Sequence, residues 1–208
     1  MDLAISTGAQ GLMWAILSLG VFLSFRILDV PDMTCEGSFP LGGAIAATMV
    51  VAGVSPWLAI VAAVIGGMVA GAVTGILYTK LKIPAILAGI LTMIALYSIN
   101  LHVMGKANVS LLRTDTIFRL ASRFLDCGSS VAALVVSGGL ILVLVLWVYW
   151  FFGTELGMCI CAIGFYVHMM RAQGVNPDTL TILDLLPSNG LTNDCGALVA
   201  QITGIADV

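Results

Sequence analysis

Val131-Ala132-Ala133-Leu134-Val135-Val136-Ser137-Gly138-Gly139-Leu140-Ile141-Leu142-Val143-Leu144-Val145-Leu146-Trp147-Val148-Tyr149-Trp150-Phe151-Phe152 carries no charged residue from end to end. Only a helix satisfies every backbone amide and carbonyl within one segment in hydrocarbon, so an apolar run of this length reads as a membrane-crossing helix. Trp147, Tyr149 and Trp150 close the run, and such rings anchor at the headgroup level. The rest of the chain has the same character. Sixty per cent of residues are hydrophobic and 9 % are charged, against about 25 % charged in a soluble domain. Mean hydropathy is +1.11. A water-facing surface cannot be built from so few charges.

A bilayer core takes roughly 20 apolar residues per span. The 208 residues therefore predict a single all-α transmembrane domain over 1–208, a polytopic helix bundle of about five or six spans with no separate soluble domain. Reading outward from 131–152, spans are expected over about Gln10–Phe25, extending to Ile27, and over Phe39–Val54, Pro56–Tyr78 and Ile83–Leu101. The span from Phe39 is short for a full crossing and is expected to be broken or re-entrant. A sixth, Leu180–Ile202, is interrupted by Asp184, Pro187, Asn193 and Asp194. Charges at a helix centre cost about 2.5–3.5 kcal/mol each, so this segment either has protein neighbours or does not cross. The polar stretch His102–Ser130 is expected to hold an amphipathic interfacial helix.

Orientation is not decided by charge. If Lys80 and Lys82 face the cytoplasm, so does the segment 153–178, while the basic residues of 102–130 face outside. The amino terminus has no basic n-region, the first basic residue being Arg26, so the first apolar run is expected to stay as a helix rather than be cleaved.

Several function classes drop out. Net charge is −3, which argues against nucleic acid as a partner. Cys35, Cys127, Cys159, Cys161 and Cys195 form no C-x-x-C pair, and His102 and His168 lie far apart, so no metal site and no cofactor is expected. No H-E-x-x-H, G-x-S-x-G or P-loop is present, which leaves a membrane enzyme without support.

Two local features bear on function. Gly67, Gly71 and Gly75 recur every fourth residue and so share one helix face, where small residues let helix backbones approach closely in lipid; a pore lining is the alternative. The stretch Asp29-Val30-Pro31-Asp32-Met33-Thr34-Cys35-Glu36-Gly37-Ser38 places two acids between apolar spans. Asp32 and Glu36 are four apart, on one face if helical, and acids within the membrane read as functional. A discontinuous helix at Pro31 and Gly37 would build a translocation path from Asp32, Thr34, Glu36 and Ser38. The alternative is a solvated loop with Glu36 in the first turn of a helix, favoured by its dipole.

The stretch Phe25–Phe39, together with Glu155-Leu156-Gly157, His168-Met169-Met170-Arg171-Ala172-Gln173-Gly174-Val175-Asn176 and Ser188-Asn189-Gly190-Leu191, resembles in order and spacing the permease subunits of ABC importers of the branched-chain amino acid and ribose type. The likeness covers essentially the whole chain. It is strongest to a bacterial subgroup encoded beside a lipoprotein binding protein and an ATPase, some members of which are linked to aromatic amino acid uptake. Family members continue for several more helices, so the resemblance implies a chain truncated at its carboxyl end.

The resemblance implies a multi-pass protein of the bacterial inner membrane that performs no bond chemistry. It implies a second permease subunit, likened to a homodimer, a cytoplasmic ABC ATPase, an extracytoplasmic lipoprotein binding protein, and a small amino-acid-like solute. It also implies that 153–178 is the cytoplasmic coupling segment. There a short helix would meet the ATPase through Arg171, with His168 and Gln173 beside it and Gly174 releasing the chain from the helix. Where the family reads Arg-Ala-Thr-Gly-Asp-Asn, this chain has Cys161-Ala162-Ile163-Gly164-Phe165-Tyr166, which exchanges polar contacts for apolar area. Outside the resemblance, an ion-coupled carrier or channel using Asp32 and Glu36, and a membrane subunit without transport, remain the competing readings.

Overall fold

Proline and glycine set most of the helix boundaries. In the computed structural model, which describes residues 2–111, 114, 116–125 and 128–207, helix α1 (Asp2–Phe22) runs into a π-helical turn, Leu23–Ile27. Asp29 then takes a left-handed φ of 57°, and the chain stays non-helical to Met33. Helix α2 (Thr34–Val51) follows. Helix α3 (Pro56–Thr79) opens on a proline, whose missing N–H is one that no first-turn residue could use. Helix α4 (Ala85–Met104) stops at Gly105, φ 62°.

Beyond α4 come strand β1 (Asn108–Ser110), the short helix α5 (Ile117–Leu125) and helix α6 (Ser129–Phe152). Helix α7 (Glu155–Ala172) is capped by the Thr154 hydroxyl, which accepts from the Gly157 amide at 3.3 Å. Helix α8 (Pro177–Thr203) is capped by Asn176, stops at Gly204, φ 72°, and leads into β2 (Ile205–Asp207). The two three-residue strands pair antiparallel, with Val109 opposite Ala206. They are a small addition to an all-α bundle.

Among the described residues, four segments are long and apolar enough to cross a membrane: Ala4–Ile27, Pro56–Thr79, Ala85–Met104 and Val131–Phe152. Leu142, Val143, Leu146 and Tyr149 on α6 are exposed, as a surface bathed in acyl chains requires. Helix α8 is the reverse case. It packs against α3, α2 and α1, and Ser188, Asn189, Thr192, Asn193 and Asp194 are all buried on it. The polar residues that read as interruptions of a sixth span therefore lie within one continuous helix of 27 residues, shielded by neighbours. Pro187 is accommodated inside it.

Close approach to α8 explains the glycine row. A Cβ at Gly67 would run into the Asn189 carbonyl, one at Gly71 into the Leu185 carbonyl, and one at Gly75 would lie 3.0 Å from Ile182. Gly20 of α1 and Gly42 of α2 meet α8 backbone in the same way, at Ser188 and Asn193. In lipid, where hydrophobic burial gives helices no reason to associate, such backbone contact supplies dispersion and polar attraction instead.

Candidate functional site

Asp32 organises the middle of the bundle. Its Oδ1 accepts from the Thr34 amide at 2.9 Å, which fixes the start of α2, and its Oδ2 accepts from Asn189 Nδ2 at 2.7 Å. The Asn189 Oδ1 in turn accepts from Ser38 Oγ at 2.7 Å. Thr34 Oγ1 lies 2.8 Å from Thr74 Oγ1, and the Thr74 hydroxyl donates to Thr92 Oγ1 at 2.9 Å. These groups form a continuous chain, Ser38–Asn189–Asp32–Thr34–Thr74–Thr92, through α2, α8, α3 and α4. All six are buried, Ser38, Asn189 and Thr34 completely. Asn189 lies near the midpoint of α8, so Asp32 sits at mid-depth. The unwound stretch 28–33 thus runs inward from the bundle end, where Leu28, Asp29 and Val30 line one pocket with Lys82 and Arg171, to the buried Asp32.

This geometry corrects three expectations. Asp32 and Glu36 do not share a helix face: Asp32 precedes α2 and is 2 % exposed, whereas Glu36 is exposed on the first turn. The physical reason is the Asp32–Thr34 turn, which spends the carboxylate on the amide that α2 leaves unpaired. The break lies at 28–33, around Pro31. Gly37 is no part of it; it is inside α2, where a Cβ would lie 3.0 Å from the Met93 backbone of α4. The segment that begins at Phe39 in the sequence reading in fact starts five residues earlier, at Thr34.

Glu36 opens onto a cleft of about 400 Å3 between α1 and α2, walled by Trp14, Phe25 and Phe39 with Asp32 at its floor. Trp14 and Phe39 stack with centroids 5.5 Å apart. At the depth of Asn189, a carboxylate facing acyl chains would be expensive, and such groups normally face protein or a water-filled cavity.

The opposite feature lies at the end of the bundle where α3 stops and α8 starts. Residues 153–178 are mostly one helix, α7, rather than a polar loop carrying a short helix. Its first part is apolar and contributes buried Ile160 and Ile163 to the core. Tyr166, φ −144° and ψ 71°, breaks it and sets off a short last stretch. That stretch ends in a Schellman motif: the Gly174 amide donates to the Arg171 carbonyl, the Val175 amide donates to the Met170 carbonyl, and Gly174 has φ +83°.

Arg171 and Gln173 are exposed; the side chain of His168 lies outside the described residues. Arg171 is also paired within the chain. Asp178, in the first turn of α8, lies 3.7 Å from Arg171 Nη2 and 3.6 Å from Lys82 Nζ. Lys82 and α7 therefore share one end of the bundle. Just inward, Gly164 rests on the Ile27 carbonyl, leaving no room for a Cβ. Cys161-Ala162-Ile163-Gly164 thus packs against the π-turn that leads into 28–33. No local pattern announces this contact, although a glycine amid apolar residues of α7 is where one could be sought.

Among the described residues no group of three or more His, Cys, Asp or Glu side chains could hold a metal ion. Cys35, Cys159, Cys161 and Cys195 are free thiols, and Cys127 lies outside the described residues.

Comparison with known proteins agrees with this architecture. The family described as "Branched-chain amino acid transport system / permease component" matches residues 4–208. The chain is similar to the "Tyrosine transport system permease protein" of Clostridioides difficile (strain R20291), 37 % identical over 98 % of this chain and 66 % of the relative. It is also similar to "Uncharacterized protein RP368" of Rickettsia prowazekii (strain Madrid E), 31 % identical over 100 % of this chain and 71 % of that one. The "Galactofuranose transporter permease protein YtfT" of Escherichia coli (strain K12) is 28 % identical over 89 % of this chain and 52 % of its own length. The chain spans about two thirds of the length of the first two relatives and about half of the third. No solved structure matches it. With four apolar spanning helices and a match along nearly its entire length, the chain is a multi-pass membrane protein that belongs to the permease-component family of branched-chain amino acid transport systems.

Proposed function

We propose that the chain acts as the membrane subunit of an ATP-driven importer of a small amino-acid-like solute in the bacterial inner membrane. In this reading a separate cytoplasmic ATPase supplies the energy, an extracytoplasmic lipoprotein delivers the solute, and a second permease subunit completes the path. The family and the name of the tyrosine-transport relative support the class of solute. The observation that supports the path is Glu36, exposed beside the buried Asp32–Asn189–Ser38 chain: a carboxylate there favours an α1–α2 face that borders water, with Asp32, Thr34 and Ser38 beside the helix break.

The coupling role falls to the last stretch of α7, with His168, Arg171 and Gln173 toward the ATPase and Gly174 ending the helix. Support comes from its mechanical position. Asp178 ties it to α8 and to the α3–α4 turn, and Gly164 ties α7 to the π-turn. ATPase closure pulling on α7 would then reach 28–33 through rigid contacts, as rocking of packed helices does elsewhere. Gly67, Gly71 and Gly75 act as packing residues that hold α3 on α8.

Two experiments test this. In proteoliposomes containing the assembled transporter, uptake should require ATP and the ATPase; uptake driven by an ion gradient without the ATPase would instead favour a secondary carrier. Pull-down of the ATPase should be lost on Arg171→Glu, and retention at full strength would remove Arg171 from the contact.

A further inference from the structure

The bundle end opposite Lys82 and Arg171 holds a cavity of about 260 Å3, lined from α1, α5, α6 and the close of α8. Two of its lining residues, Ser6 and Ala133, lie just inside the apolar segments Ala4–Ile27 and Val131–Phe152. The cavity therefore sits where hydrocarbon gives way to headgroups. Gln201 is the lining residue with unfinished bonding. It is 2 % exposed, its Oε1 accepts from the Ile117 amide at 3.1 Å, and its Nε2 has no partner among the described residues. A buried N–H without an acceptor is costly. The amide cannot turn over to relieve it, because Oε1 holds the start of α5. Among the described lining residues Arg119 alone is charged, and its Nη1 donates to the Thr114 carbonyl at 3.1 Å, which keeps the guanidinium at the rim. Helices α1, α5 and α6 all begin beside the cavity, and helix amino ends carry partial positive charge. Helix α8 ends there, but its Val199, Ala200 and Gly204 carbonyls are spent on the Thr203 hydroxyl and the Gly204 and Leu111 amides. An unmet donor, a cation and three helix amino ends all call for an anionic oxygen.

The geometry points to a site for the phosphate group of a membrane phospholipid, with Gln201 Nε2 and Arg119 as its donors. A phosphodiester carries anionic oxygens enough to serve both at once. The glycerol carbons next to it lie against Phe118 and Ile202, which line the same cavity; free phosphate would leave those walls facing water. Helix α5 has the pattern of an interfacial helix, with Arg119 and Ser122 on one face and Ile117, Phe118 and Ala121 on the other. Ile117 and Phe118 are buried, so the helix lies with its apolar side on the bundle and its basic side at headgroup level. A lipid held here joins α5 to the end of α8 and does so whatever solute the chain carries.

The test is calorimetric titration of the full chain in dodecyl maltoside micelles, which contain no phosphate, with three probes: dihexanoyl phosphatidylglycerol, dihexanoylglycerol and inorganic phosphate. The phospholipid is expected to bind saturably and at least about tenfold more tightly than either of the others, the effect of one charge-assisted contact. Gln201→Glu keeps an acceptor for the Ile117 amide and replaces the unmet donor by an oxygen, so it should remove the preference for phospholipid over diacylglycerol. Arg119→Gln, at an exposed position, should weaken the phospholipid and leave the diacylglycerol unchanged; it decides the matter if Gln201→Glu does not fold. Equal affinity for phospholipid and diacylglycerol in the unsubstituted protein overturns the inference. Unchanged phospholipid affinity in either folded variant overturns it too. Inorganic phosphate binding as tightly as the phospholipid overturns the lipid assignment and gives the site to the free ion.

Discussion

Two buried polar residues on α8, five positions apart, should respond to replacement by leucine with opposite signs. Asn189 is fully buried and bonded on both sides, to Asp32 at 2.7 Å and to Ser38 at 2.7 Å. Asn189→Leu keeps the branched shape and removes both bonds, together with the Nδ2 donation to the Leu185 carbonyl at 3.2 Å. In membrane proteins such bonds average about 0.6 kcal/mol each, because the unfolded helices also find partners. That sets a floor of about 1 kcal/mol. The stranded Asp32 carboxylate and Ser38 hydroxyl, 2 % and 0 % exposed, add about 1–3 kcal/mol for unmet polar groups. The expected loss is thus about 2–4 kcal/mol. Asp184 is equally buried, yet neither carboxylate oxygen has a partner. Asp184→Leu forfeits no bond and removes a buried polar group left unmet, which costs about 1–3 kcal/mol, so it should stabilise the bundle. Denaturation of purified protein in mixed micelles, followed by tryptophan fluorescence, measures both. A loss below about 1 kcal/mol for Asn189→Leu, or a destabilisation by Asp184→Leu of the same size as Asn189→Leu, would refute the view that the Asp32–Asn189–Ser38 chain holds the centre together.

Gly71→Ala should lower the melting temperature, because its Cβ meets the Leu185 carbonyl, while Gly11→Ala, with nothing within 4 Å, should be neutral or slightly stabilising; equal effects would show that α3 and α8 are not in backbone contact. Arg171→Glu should abolish ATP-coupled uptake while changing stability by less than about 1 kcal/mol, since its pair with Asp178 is more than half exposed on the arginine side; a large stability loss would make Arg171 structural. Gly174→Ala forces a left-handed φ of +83° on a residue with a Cβ and should cost about 1 kcal/mol and weaken ATPase pull-down; unchanged melting and pull-down would show that the Schellman turn is dispensable. Gly164→Ala should leave ATPase binding intact and reduce uptake, because its Cβ meets the Ile27 carbonyl and pushes α7 off the π-turn; unchanged uptake would remove that contact from the coupling route.

Hydropathy by itself determined the spans that become α3, α4 and α6, because insertion into lipid sums over neighbouring residues and needs no partner elsewhere in the chain. The spacing of Gly67, Gly71 and Gly75 exposed a close-packing face for the same local reason, without naming α8 as what lies against it. Tertiary structure decided the rest. Asp184, Asn193 and Asp194 look like interruptions of a span until α1, α2 and α3 are seen to pack around their helix. Asp32 and Glu36 look like a pair until Asp32 is found bonded to a residue 157 positions away. Arg171 looks free until Asp178 folds back beside it. A polar group inside a membrane is governed by whichever partner satisfies it, and that partner is set by how helices come together rather than by the residues on either side.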